Sequence, residues 1–246
     1  PLFLKALTYY FDLGFTYFEV GDGDELWQNR RLSRVIRSHR PIFNFLHRFD
    51  AQDRLHLILG NHDVAKYKRN AIDKDGMTLE DGLILRHRRT QQELFVIHGH
   101  QADLKSDILS PISRAVVRHI WRPMQEWPLT QRIQEWLPGG SNFGGIERRL
   151  TNWLRSQKTA LICGHTHRPV FADYGNLPYF NTGSWIEPGV ATGLEIEGGT
   201  IRLVRWISHP ITHEVRREIE AYWSIENRDA TIHGWYDLHA MLRADY

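Results

Sequence analysis

The sequence predicts an α/β fold, and three observations support that prediction. Apolar, strand-like runs alternate with segments whose apolar residues recur at helical spacing. Four of the strand-like runs stop abruptly at clusters of Asp, Asn and His. The 246 residues, 41% of them hydrophobic, are enough to bury a sizeable core. Because ligands bind at the carboxyl ends of strands in open α/β sheets, we expect one site assembled from four strand ends.

The first quarter of the chain has the pattern of helix, strand, helix, strand. Leu2–Leu13 has apolar residues at helical spacing, and the strand-like run Thr16–Val20 follows it. Leu32–Phe49 predicts a helix that Pro41 either kinks or splits in two, because proline cannot donate a backbone hydrogen bond. Leu55–Leu59 is the next strand, and this order predicts that neighbouring strands are parallel.

A helical insertion is predicted between two core strands in the middle of the chain. Gly82–Leu85 and Leu94–Ile97 are predicted strands, and residues 101–158 after them are rich in Trp and Arg. Two apolar helix faces occur in this insertion: Ile112, Val116, Val117 and Ile120 form one, and Ile146, Leu150, Trp153 and Leu154 form the other. The insertion interrupts the strand pattern of a single domain that covers residues 1–246.

Strand patterns return after the insertion, at Ala160–Cys163, Phe180–Trp185, Thr192–Glu197 and Thr200–Trp206. The last two runs flank Gly198-Gly199, which is typical of a tight hairpin turn. Residues 207–246 form a polar C-terminal extension without clear periodicity. We interpret this extension as either a docked helix or a partner-binding arm.

Composition narrows the classes of function. A formal net charge of +2 gives no specific signal for nucleic-acid binding, and the local arginine clusters are either solvated surface or an anion-attracting rim. Cys163 is the only cysteine, so an internal disulfide is excluded and a reducing, cytoplasmic compartment is favoured. No apolar stretch is long enough to span a bilayer. The amphipathic insertion is compatible with peripheral membrane contact, and the oligomeric state is left open.

The polar clusters at the four strand ends offer oxygen and imidazole donors. They are Gly21-Asp22, Gly60-Asn61-His62-Asp63, His98-Gly99-His100 and Gly164-His165-Thr166-His167. Asn and Asp occur in many turns, but His has no turn function, so the pattern favours a metal site. The absence of thiolate excludes a Cys-type zinc site, and the donors suit Mn, Fe, Zn, Ni or Co. They exceed what one tetrahedral metal needs, which indicates two metals bridged by a carboxylate.

In this order, the four motifs resemble those of the calcineurin-like metallophosphoesterases, over about residues 16–184. The resemblance implies a sandwich of two mixed β-sheets flanked by helices. It also implies two divalent metal ions, with manganese as the first choice and iron, zinc, nickel or cobalt as alternatives. The activity it implies is phosphoester hydrolysis, in which a metal-bound hydroxide attacks a phosphomonoester, phosphodiester or pyrophosphate.

The resemblance also assigns roles to individual residues. It implies that Asp22 bridges the two metals, that Asn61, His98 and His165 bind the second metal, and that His167 binds the first. His62 would stabilise the phosphoryl oxygens or protonate the leaving group, and Asp63 would orient His62. Arg168 follows the last ligand and is interpreted either as a donor to a substrate phosphate or as a surface ion pair.

Finer details are similar to one branch of the family, the relatives of UDP-2,3-diacylglucosamine hydrolase. Residues 21–27 and 181–185 show this similarity, which implies a phosphorylated small molecule or a nucleotide-linked lipid as substrate. His62 and His100 stand where that enzyme typically carries Arg and Asp. The Asp-x-His motif at the family's first strand is absent from this sequence, and we expect it to precede Pro1. The alternative function is a non-catalytic scaffold that binds partners through the insertion and the tail.

Overall fold

The computed structural model describes residues 2–24, 31–64, 73–100, 142–157, 159–172, 177–226 and 229–232. Its helices are α1 (Leu2–Asp12), α2 (Leu32–Ser38), α3 (Arg40–Asp50), α4 (Asn61–Val64) and α5 (Asn142–Ser156). Its strands are β1 (Tyr17–Glu19), β2 (Leu55–Ile58), β3 (Asp73–Lys74), β4 (Met77–Glu80), β5 (Gly82–Arg86), β6 (Glu93–Ile97), β7 (Ala160–Cys163), β8 (Pro169–Phe171), β9 (Tyr179–Thr182), β10 (Val190–Glu197), β11 (Thr200–Ser208), β12 (Val215–Ser224) and β13 (Asp229–Ile232). Within these ranges, none of the helices has both the length and the apolar character needed to cross a bilayer.

The described strands form three sheets. The first is mixed, with strand order β1-β2-β4-β3, and the second is mixed, with order β5-β6-β7-β9-β8. The third is an antiparallel sheet of β10, β11, β12 and β13 in sequence order. Strands β1 and β2 are parallel, and so are β6, β7 and β9. The carboxyl ends of parallel strands therefore share one edge in each mixed sheet.

The five-stranded sheet lies at the centre of the core and buries both of its faces. One face packs Ile162 and Phe180 against Leu203 and Trp223 of the antiparallel sheet, and Ile58 of the first sheet joins the same cluster. The other face packs against α5. Helices α2 and α3 cover the first sheet, and α1 covers the outer face of the antiparallel sheet. The predicted sandwich of mixed sheets flanked by helices is confirmed.

Of the two outcomes expected at Pro41, a kink or a split, the structure shows a split. Helix α2 ends at Ser38, α3 begins at Arg40, and Pro41 lies in the first turn of α3, where a missing N–H is tolerated. Around the predicted hairpin turn, Gly198 and Gly199 have φ angles of +55° and +76°. Both angles suit a two-residue turn that joins twisted strands.

The interpretation of the tail as a helix or an arm is wrong for its first part. Strands β12 and β13 continue the antiparallel sheet from β11. Glutamates 218 and 220 on β12 pair with Arg205 on β11, so charged residues lie along the strand and conceal the usual alternation. Strands β3, β4 and β8 are not predicted either, because runs of two to four residues show no period.

The structure describes a helix at the end of the predicted insertion, and the insertion as a whole stays a prediction. Helix α5 buries Ile146, Leu150, Trp153 and Leu154, which are the residues of the second predicted face. The first predicted face, at residues 112–120, and residues 233–246 of the tail lie outside the described residues.

Candidate metal centre

The two mixed sheets bring the ends of β1, β2, β6 and β7 together. Asp22 follows β1, His98 follows β6, and His165 follows β7. Each of these three side chains offers one ligand atom, and the three atoms all lie within 4.8 Å of one another. The expectation that separate strand ends would build one site therefore agrees with the geometry.

His98 lies at the middle of this group and is only 1% exposed. Its Nε2 atom lies 3.0 Å from Asp22 Oδ2, 3.1 Å from Asn61 Oδ1 and 3.2 Å from His165 Nδ1. Its Nδ1 atom donates a hydrogen bond to the carbonyl oxygen of Val20, at 2.7 Å. Since a carbonyl oxygen can only accept, this bond keeps a proton on Nδ1, which makes Nε2 the ring nitrogen that can bind a cation.

The carboxylate of Asp22 is held in its ionised form. Burial alone would raise the pKa of Asp22, but the hydrogen bond from His98 and the charge of His98 both lower this pKa. The backbone N–H of His62 also donates to Asp22 Oδ1, at 2.9 Å. Together these contacts lower the pKa of Asp22 to about 2, so the side chain presents a negative charge to a cation at neutral pH.

Two glycines allow the strand ends to approach this closely. A Cβ atom on Gly60 would overlap Oδ1 of Asp22, and a Cβ atom on Gly21 would overlap the ring of His98. The glycines of the Gly-Asp and Gly-Asn-His-Asp motifs are therefore required for packing between two chain segments.

The loop that carries the last two predicted ligands has an unusual backbone. His165 and His167 have φ angles of +67° and +56°, in the left-handed region that non-glycine residues rarely adopt. Asn181, which is fully buried, donates hydrogen bonds to the carbonyl oxygen of Gly164 at 2.6 Å and to Oγ1 of Thr166 at 3.1 Å. Asn181 lies in the motif at residues 181–185 and on a predicted strand, but neither pattern indicates a role for its side chain.

The other predicted site residues lie outside the three-residue group. His167 is exposed and is not part of the three-residue group, so its assignment to a first metal stays a prediction. His62 contacts the group through its backbone N–H. The side chain of Asp63 lies outside the described part of the structure. Arg168 forms an ion pair with Glu147, with 2.7 Å between Nη2 and Oε2.

A third imidazole lies beside the group. The ring centroid of His100 is 5.4 Å from that of His98 and 6.5 Å from that of His165. Burial lowers the pKa of His100, and the charges of the two neighbouring rings lower it further, to about 3. His100 is therefore neutral, and its proximity follows from the His-Gly-His spacing noted in the sequence.

A buried ion cluster, Lys74 with Glu19 and Asp24, supports the loop that carries Asp22. Nζ of Lys74 lies 2.6 Å from Glu19 Oε1 and 3.0 Å from Asp24 Oδ1, and the Lys74 side chain is 2% exposed. Burial would lower the pKa of Lys74, but the two carboxylates raise it above its ordinary value. No sequence signal pointed to Lys74, because its partners are about 50 residues away along the chain.

Comparison with solved structures finds distant matches. A single mutant of Vps29 from Entamoeba histolytica is 15% identical, with a TM-score of 0.42 and coverage of 89% of both chains. Vacuolar Protein Sorting 29 from Cryptosporidium parvum is 13% identical, with a TM-score of 0.36 and coverage of 83% of this chain and 79% of that chain. The comparison with curated proteins finds no match.

A family model matches much more specifically. The model for calcineurin-like phosphoesterases matches residues 17–169, which is more than half of the chain. The matched span contains all four strand-end motifs. This protein therefore belongs to the calcineurin-like phosphoesterase family.

Proposed function

We propose that this protein is a metal-dependent phosphoester hydrolase with a centre of two divalent cations. The observation that supports this most strongly is the convergence of Asp22, Asn61 and His165 on Nε2 of His98. A carboxylate, an amide oxygen and imidazoles fit manganese, the proposed metal, and also iron, zinc, nickel or cobalt. When bound, such cations supply Lewis-acid activation of a phosphoryl group and of a water nucleophile.

The donor set present in the structure fits one cation well. Asp22, Asn61, His98 and His165 would hold that cation, and the bond from His98 to Val20 already fixes the required tautomer. Asp22 and His167 would contribute to the other cation. The Asp22 carboxylate, ionised at neutral pH, would serve as the ligand shared by both.

The chain also supplies groups that could act on the substrate. We assign His62 to stabilising the phosphoryl oxygens or protonating the leaving group, with Asp63 orienting it. The position of the His62 backbone against Asp22 supports this assignment, since it fixes the start of α4 beside the cluster. The proposed substrates are phosphomonoesters, phosphodiesters and pyrophosphates, including nucleotide-linked lipids, which peripheral membrane contact would make accessible.

The proposal is tested by metal analysis and a substrate panel. Purified protein is assayed with added Mn²⁺ against p-nitrophenyl phosphate, its bis ester, a nucleoside diphosphate sugar lipid and cyclic nucleotides. Asp22→Asn and His98→Ala should each lower metal content and reduce turnover by about 100-fold or more, because each removes a ligand. Asp75→Asn and His87→Ala make the same chemical changes outside the cluster and should leave both quantities unchanged.

Two results would contradict the proposal. Unchanged activity in both Asp22→Asn and His98→Ala would show that the site is assigned wrongly. A chain that binds metal stoichiometrically but hydrolyses none of the four substrates would favour the scaffold alternative.

A further inference from the structure

Glu147 is a buried carboxylate that the proposed chemistry does not use. It lies on α5 and is 2% exposed, beside Ile146 and Leu150 in the apolar face of that helix. A carboxylate is costly to bury unless it is paired, so the partners of Glu147 define its role.

The partners of Glu147 lie in the loop of the predicted ligands. Its Oε2 atom accepts a hydrogen bond from Nη2 of Arg168 at 2.7 Å, and its Oε1 atom accepts a weaker one from the hydroxyl of Thr166 at 3.4 Å. Thr166 and Arg168 alternate along the chain with His165 and His167. One carboxylate on α5 thus holds the residues next to both histidines.

This loop needs to be held from outside, because its backbone is strained. His165 and His167 both have left-handed φ angles, which persist in proteins only when the surrounding structure enforces them. Asn181 on β9 stabilises the loop by hydrogen bonds to Gly164 and Thr166. Glu147 on α5 stabilises it as well, by hydrogen bonds from Thr166 and Arg168.

We propose that Glu147 is a positioning residue that fixes the geometry of His165 and His167 for metal binding. The inference rests on the proposed function, since it concerns the same metal centre. It also links α5 to that centre, because the Glu147 carboxylate is the polar group through which this helix contacts the loop. Arg168 then serves first as the partner of Glu147, and one Nη2–H of its guanidinium is engaged before any substrate binds.

The test uses the full chain with Glu147→Ala, Glu147→Gln and the control Leu150→Ala. Leu150 is buried in the same helix but has no polar contact with the loop. Calorimetric titration with Mn²⁺ and with Zn²⁺ should show affinity lowered about 10- to 100-fold in Glu147→Ala, as for other groups that orient metal ligands. Glu147→Gln keeps an acceptor oxygen, so its metal affinity should fall less than that of Glu147→Ala. Leu150→Ala should bind metal like the wild type, although it destabilises the fold.

Amide hydrogen exchange of residues 164–168 in the metal-free chain provides a second readout. Exchange in this loop should be faster in Glu147→Ala and unchanged in Leu150→Ala. Equal metal affinities for Glu147→Ala and Leu150→Ala, or unchanged loop exchange in Glu147→Ala, would overturn the inference while leaving the proposed function intact. A wild-type chain that binds neither metal would overturn the proposed function, and loop exchange alone would still decide whether Glu147 holds the loop.

Discussion

At the residue scale, His98 is the residue on which Asp22, Asn61 and His165 converge. One ring nitrogen is bonded to the backbone of Val20, next to the β1 end, and the other faces donors that follow three different strands. The geometry of the site therefore depends on contacts around His98 and Asp22 as much as on the donors themselves. The same logic applies to Gly60, whose lack of a side chain leaves room for the Asp22 carboxylate.

We predict that Gly60→Ala strongly weakens metal binding. A methyl group at this position overlaps both the carboxylate and the backbone nitrogen of Asp22, so the segment that carries the carboxylate must move away from His98. Metal affinity, measured by calorimetric titration, should fall by about 100-fold or more, as for loss of a ligand. The matched control is Gly193→Ala, where an added Cβ meets open space. Wild-type affinity in Gly60→Ala would show that Asp22 is not a ligand.

A second prediction concerns the acid stability of the metal-free chain. The pKa of Asp22 falls from an ordinary 3.8 to about 2 in the folded state, against the effect of burial and chiefly through His98. Asp22 therefore stabilises the fold above about pH 4, and this contribution disappears as the pH falls towards 2. The difference in free energy of unfolding between wild type and Asp22→Asn should shrink over this window. Exposed Asp50→Asn controls for the loss of one carboxylate, and a constant difference down to pH 2 would contradict the prediction.

At the element scale, the periodicity of the sequence predicted the helices and strands that bury one face. It did not predict strands whose charged residues conceal the alternation or strands too short to show a period. Helix α5 and the hairpin of β10 and β11 were predictable, since their apolar residues and Gly198-Gly199 give strong local signals. Strand β12 was not, because its glutamates are paired with Arg205 across the sheet. The ligand clusters were predictable from local spacing. The supporting contacts of Lys74 and Glu147 join segments far apart in the chain, and no local pattern indicates them.

The buried ion cluster of Lys74 gives a prediction at this scale. Lys74→Met should lower the free energy of unfolding by about 3–5 kcal/mol, because it leaves the carboxylates of Glu19 and Asp24 buried without their cation. Urea denaturation at neutral pH measures the change. The control Lys5→Met removes an exposed amine and should change stability by about 0.5 kcal/mol or less. A small effect of Lys74→Met would show that the three groups do not act as a buried ion cluster.

At the scale of the whole molecule, the centre exists because the two mixed sheets meet at their carboxyl edges. Asp22 and Asn61 come from the first sheet, and His98 and His165 come from the second. The core that joins the sheets includes Ile58 from the first sheet, residues from four strands of the second and Trp223 from the third. Metal affinity should therefore depend on the integrity of this shared core.

Phe180 provides a test of whether the sheets share one core. Its fully buried ring lies 5.0 Å from the ring of Phe171 and 5.4 Å from that of Trp223, so it fills the space between the second and third sheets. Phe180→Ala should lower the free energy of unfolding by about 3–5 kcal/mol, through lost burial and the cavity left behind. Tryptophan fluorescence and far-ultraviolet circular dichroism should report one coincident urea transition, because the sheets share one core. The control Ile196→Ala, at a partly exposed position, should cost less than about 1 kcal/mol. Two separate transitions in Phe180→Ala would show instead that the sheets unfold independently and that the centre forms between separately folding parts.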